Sequence, residues 1–186
     1  MAFLALINAL AFVHALDLLD TNMYPVLESV YYDLKTVNSE YAKDRLYLET
    51  RNVWCDRGRD LISSFTTGRP VKFRLCQTVD CPERIAEERT PMSITVNYNS
   101  TWGNNLIGHF CKDTYERDSV TLGDRFERIW TFELKSGTKN IYYLATQPWD
   151  KKLWVHSYRG YVSFGLQADL SKGIGGRWIE FQFLRR

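Results

Sequence analysis

The chain has 186 residues, with 24 Lys plus Arg against 22 Asp plus Glu, which suits one globular domain and leaves a net charge of +2, too small for a dedicated nucleic-acid binder. Hydrophobic residues make up 45% and aromatics 15%, which excludes a disordered tail, because such a chain buries enough apolar surface to fold.

The first predicted element is the uncharged, mostly apolar run over residues 2–15, which ends Val13-His14-Ala15 ahead of the first acid, Asp17. It predicts a signal peptide over residues 1–15 and a secreted, extracellular protein, although no Lys or Arg precedes the run. The run falls short of the roughly 18 apolar residues that a membrane span needs, so no stable membrane insertion is expected. A single β-rich domain is predicted over 16–186.

From Thr21 to about Lys43, Val26, Leu27, Val30, Leu34 and Val37 recur at three- and four-residue intervals, with Pro25 placed for a first turn and Thr21 or Asn22 for a cap. This spacing predicts one N-terminal amphipathic helix. The period then changes to two. Leu46 and Leu48, Val71 to Leu75, Met92 to Val96, Trp130 to Leu134, Ile141 to Leu144, Leu153 and Val155, Val162 to Leu166, and Ile179 to Phe183 alternate with polar or opposite-face residues. Pro82–Arg89 is charged and poor in β-formers, and predicts a short helix or a loop. Ser136-Gly137, Pro148-Trp149-Asp150, Arg159-Gly160 and Ser171–Gly176 supply turn chemistry. The expected fold is mostly β: an antiparallel β-sandwich, jelly roll or barrel of about eight strands with one N-terminal helix.

Four cysteines follow the leader, Cys55, Cys76, Cys81 and Cys111, and in an oxidising compartment they imply two disulfides with three possible connectivities. The preferred pairing is Cys76 with Cys81 and Cys55 with Cys111. The competing zinc set, Cys76, Cys81, His109 and Cys111, is less favoured because His109 and Cys111 alternate as in a strand. Asp118, Asp124 and Glu127 are too loosely spaced for a calcium loop. No metal or cofactor is expected. Asn99-Ser100-Thr101 is a glycosylation sequon in a polar stretch that predicts a loop.

The familiar catalytic motifs are absent, which favours a binding module over an enzyme. One enzymatic alternative remains: His109 and His156 as the acid/base pair of a small, ribonuclease-like secreted hydrolase. Lys172–Arg177 offers a Gly-rich turn between predicted strands, better explained as a hairpin connection than as a phosphate cradle. Trp149 and Trp102 fall in predicted turns, where a large aromatic is hard to bury and can stack on a sugar or anchor an interface. Residues 151–186 hold seven basic groups against two acids, a candidate patch for acidic partners.

Together these features predict a secreted recognition module for a glycan or for a cell-surface or extracellular protein, with Trp149, Asp150, Lys152, Trp102 and Asn104 as contacts. A lipocalin-like carrier of an apolar small molecule is the third alternative, and it requires an internal cavity. Nothing in the sequence implies an oligomeric state.

Overall fold

A computed structural model describes residues 16–37, 46–48, 69–100, 103–112, 118–146, 151–158, 161–167 and 179–186. Among them are twelve strands: β1 (Asp33–Thr36), β2 (Leu46–Leu48), β3 (Arg69–Val71), β4 (Phe73–Cys76), β5 (Ser93–Ser100), β6 (Gly103–Lys112), β7 (Asp118–Gly123), β8 (Trp130–Leu134), β9 (Tyr142–Thr146), β10 (Lys151–Tyr158), β11 (Tyr161–Gln167) and β12 (Glu180–Leu184). Every strand pairing is antiparallel, as alternating sequence segments joined by short turns favour.

Six strands close on themselves. β1 meets β4 where Tyr32 and Phe73 exchange backbone bonds of 2.8 Å, and β4 pairs with β5. At the foot of β5, Met92 exchanges bonds of 2.7 and 3.0 Å with Trp130 of β8. β8 pairs with β9, β9 with β12 and β12 with β1, which completes the ring. The other six strands pair as β2–β3, β6–β7 and β10–β11, so a hairpin follows the first strand of each successive pair of ring strands. A closed ring leaves no free sheet edge along these strands. Pairing around a ring, rather than two stacked sheets, therefore organises the chain, a threefold plan that no sequence repeat announces.

The ring is filled from its alternating residues. Val71, Phe73 and Leu75, then Ile94 and Val96, Trp130 and Phe132, Tyr142 and Leu144, and Phe181 and Phe183 are all buried. Tyr32, Phe132, Tyr142 and Phe183 pack edge-on or tilted, with centroids 4.9–6.4 Å apart, the arrangement that ring quadrupoles prefer. The expectation of one wet face fails at the start of β5, where Ser93 and Thr95 are buried as well.

The predicted N-terminal helix is corrected over residues 21–37, the part of that segment the structure describes. Asp20 Oδ1 accepts the N–H groups of Asn22 (2.8 Å) and Tyr24 (3.1 Å), which fixes a turn, and Met23 (φ +66°) and Ser29 (φ +69°) are left-handed, a conformation no α-helix contains. Beyond the turns, Tyr32, Leu34 and Thr36 are buried on alternate positions, and Asp33 between them is buried as well. The backbone donors go to distant chain. Leu18 N–H bonds Ala86 O (2.9 Å), Ala86 N–H bonds Val26 O (2.8 Å) and Val26 N–H bonds Leu18 O (2.7 Å), a closed circuit of three extended segments. Residues 82–89 take part in it as a loop without helix, in keeping with the loop alternative. Helical spacing in this sequence was a coincidence that tertiary partners overrode.

Candidate functional site

β4 ends in a disulfide between Cys76 and Cys81, with Cα atoms 4.9 Å apart, as the cysteine spacing predicted. The bond leaves neither sulfur for the zinc set. Cys55 lies outside the described residues, and so does the side chain of Cys111. Among the described residues no cluster of three or more metal-ligating side chains occurs.

Between the two cysteines the chain makes a tight turn. Cys81 N–H donates to Thr78 O at 3.0 Å, and Cys81 takes φ +46° to close it. The Asp80 carboxylate accepts the Thr78 hydroxyl and its own backbone N–H, and these contacts hold its pKa below the ordinary carboxylate value against the opposing effect of burial, with a lesser contribution from the Arg84 charge. Behind the turn stands Glu28, whose side chain is 0% exposed. Its two oxygens accept Arg84 Nε and Gln77 N–H, each at 2.8 Å, so one buried carboxylate ties the N-terminal segment to both flanks of the loop. At the tip Val79 is 80% exposed. A β-branched apolar side chain is thus held in water on a loop that has little freedom left to lose. Asp80, Glu83 and Glu87 are exposed around it, whereas the Arg84 charge is answered by Glu28.

Most of the residues singled out from sequence, or their side chains, lie outside the described residues. Trp102, Trp149 and Asp150 lie outside the described residues, as do the side chains of Lys152 and Asn99. Asn104 lies on β6 and is partly buried, and Asn99 lies on β5, so the stretch expected to be a loop is largely strand. Its neighbours are structural: Asn97 Oδ1 accepts Lys72 N–H at 2.6 Å, and Asn105 Oδ1 accepts the Thr95 hydroxyl at 3.1 Å. His109 and His156 lie on β6 and β10, with β7 and β11 between them in the sheet. Three inter-strand steps of about 4.8 Å each separate the two strands along the sheet. Of the C-terminal basic set, Arg185 Nε faces the buried Asp20 carboxylate at 3.6 Å and Arg186 Nε faces Asp33 at 3.5 Å, so these two brace the fold. The Lys172–Arg177 turn lies outside the described residues.

A cavity of about 370 Å³ opens beside the base of the ring, lined by Leu16, Asp17, Leu19, Glu88, Leu134, Thr138, Lys139 and Tyr142. The Tyr142 hydroxyl forms its floor, accepting Leu19 N–H at 2.7 Å and donating to Lys139 O at 3.4 Å. Burial raises the pKa of this phenol; the Leu19 bond opposes the shift and the Glu88 charge adds to it. Sequence reasoning missed both places, although the four residues between Cys76 and Cys81, one of them Val79, were a visible signal for the first.

No protein family matches the sequence, and no curated protein matches it. Solved structures do. The chain is similar to a rice (Oryza sativa) bifunctional alpha-amylase/subtilisin inhibitor at 17% identity and TM-score 0.63, over 91% of this chain and 99% of that one. A Kunitz type trypsin inhibitor from Cicer arietinum superposes with TM-score 0.59 at 17% identity, over 91% and 98% of the two chains. The water-soluble chlorophyll protein of Brassica oleracea var. Botrytis, with chlorophyll-b, superposes with TM-score 0.64 at 13% identity, over 92% and 99%. At such identities the likeness establishes a shared fold, the β-trefoil-like architecture of Kunitz-type proteins, and nothing about activity.

Proposed function

We propose that this protein is a secreted binding module that engages an extracellular or cell-surface protein, a hydrolytic enzyme being the leading class of partner. The observation that carries this reading is the disulfide-closed turn that holds Val79 in water while the fully buried Glu28 braces its base. A loop ordered before contact loses little entropy on binding, and a protruding apolar side chain is the type of group that anchors a partner's pocket. Three exposed carboxylates, Asp80, Glu83 and Glu87, suit a partner with basic groups around that pocket. The disulfide also accords with an oxidising compartment. The fold neighbours support the partner class, since several are inhibitors of trypsin, subtilisin or amylase by name.

The test is inhibition of trypsin, subtilisin and α-amylase by the purified protein and by Val79→Asp, beside a glycan array. Inhibition that weakens at least tenfold in Val79→Asp supports this reading. Inhibition unchanged in the variant moves the contact to another loop. Glycan binding without inhibition would replace the protein partner with the sugar ligand predicted from the tryptophans.

A further inference from the structure

The cavity beside Tyr142 is independent of the disulfide-closed loop and of any inhibitory role. Its volume of about 370 Å³ lies within the range of small-ligand sites, and Leu16, Leu19, Leu134 and the Tyr142 ring make its wall mostly apolar. Its polar atoms divide sharply by whether they are already engaged. The Tyr142 hydroxyl is bonded to Leu19 and Lys139 backbone groups, and the Thr138 hydroxyl donates to Lys135 O at 2.7 Å. Glu88 is different. Its side chain is 12% exposed, and Oε1 accepts Leu134 N–H at 3.0 Å and faces Arg89 Nε at 3.4 Å, whereas Oε2 shows neither contact. Asp17 adds a second carboxylate at the mouth. The opposing charge, Lys139, is exposed and free to extend into water. The charge of Glu88 also acts on the Tyr142 hydroxyl, so it is felt across the floor of the cavity.

An apolar wall of this size with one partly desolvated carboxylate, a second carboxylate at its edge and two cations that stay in water, Lys139 and the 73% exposed Arg89 on the Oε1 side of Glu88, selects positive over negative ligands. We infer that the cavity is a binding site for a small apolar amine, its hydrocarbon body lying against Leu16, Leu19, Leu134 and the Tyr142 ring and its ammonium group donating to Glu88.

Three probes of matched size separate the contributions: phenethylammonium, 2-phenylethanol and 3-phenylpropionate, each titrated into the purified protein at low salt while leucine methyl signals are followed by NMR. Phenethylammonium is expected to saturate and to shift the methyls of Leu16, Leu19 and Leu134, with the alcohol about tenfold weaker and the acid weaker still. Glu88→Gln keeps an oxygen for Leu134 N–H and should bring the amine to the level of the alcohol. Lys139→Ala, on the exposed turn, should leave amine binding unchanged or tighten it. Equal binding of amine and acid, shifts confined to other leucines, an unaltered affinity in Glu88→Gln, or no saturation at millimolar amine would each overturn the inference. None of these outcomes bears on enzyme inhibition, so the two proposals fail separately.

Discussion

Glu28 shows how much one side chain carries here. With both oxygens answered by Arg84 Nε and Gln77 N–H, its burial is tolerable; remove a partner and a charge or donor is left in the interior. Glu28→Ala is expected to lower the unfolding free energy by about 2 to 3 kcal/mol in urea titrations, and the Glu28→Ala/Arg84→Ala pair by less than the sum of its singles. Two glycines make a sharper contrast. Gly103 (φ +104°) begins β6 with the Gly123 carbonyl where a Cβ would stand, whereas Gly137 (φ +79°) faces open space. Alanine at Gly137 should cost about 1 kcal/mol for its backbone conformation alone. Gly103→Ala should cost clearly more, because the hairpin must move; thermal melts of the two variants side by side test the difference. Gly137 was legible as a turn residue in Ser136-Gly137. The demand at Gly103 was not, since it arises from a strand twenty residues away.

Among the elements, most strands were read from alternation, but β1 fell within the predicted helix and β7 in no predicted strand; the closure of the β4 loop was read from its cysteines, its exposed Val79 was not. Joining Cys76 to Cys81 closes a ring of only six residues, for which loop entropy gives about 2 kcal/mol. The Cys76→Ala/Cys81→Ala variant should therefore unfold at lower urea by about that amount, while any inhibition it shows should weaken further as the Val79 turn gains freedom. The N-terminal segment is where local reading failed. Val26, Leu27, Val30, Leu34 and Val37 fit a helix by count, but Val26 is buried in the three-segment circuit and Leu34 in β1. Periodicity reports which residues want burial and says nothing of backbone partners supplied by Ala86, Phe73 or Phe183.

At the scale of the molecule, Arg185, which follows β12, is tied to the segment around Pro25 and Tyr32. Arg185 Nη2 donates to Pro25 O at 3.1 Å and to the Tyr32 hydroxyl at 2.9 Å, and its guanidinium lies 5.5 Å from the Tyr32 ring centre. Among the described residues, two groups contribute to alkaline stability. Burial keeps the Tyr142 proton in place above its ordinary value of 10.0, and the bond to Glu180 does the same for Lys135 above 10.5. For both groups the folded chain holds the proton more tightly than the unfolded one. Their contribution is thus complete below about pH 10 and is lost as pH rises through the folded values. Asp80 acts in the opposite sense, its contribution being present above 3.8 and lost as pH falls below it. Melting temperature followed from pH 7 to 11 should fall at the alkaline end, and Tyr142→Phe should make that fall shallower, at a cost near neutrality of about 1 kcal/mol for the unanswered Leu19 N–H.

The sequence by itself determined the β class and many of the inward-facing residues, and it favoured the Cys76–Cys81 bond among three connectivities, because alternation and short loop closure are local properties that need no knowledge of neighbours. Tertiary structure decided the rest. Which strands close the ring, the loss of the N-terminal helix, the burial of Glu28 behind the Val79 turn and the gathering of Leu16, Glu88, Leu134 and Tyr142 around one cavity all depend on pairings between distant segments. Such pairings are selected by how a whole chain satisfies its buried backbone and charges at once, and a window of sequence contains only one side of each of them.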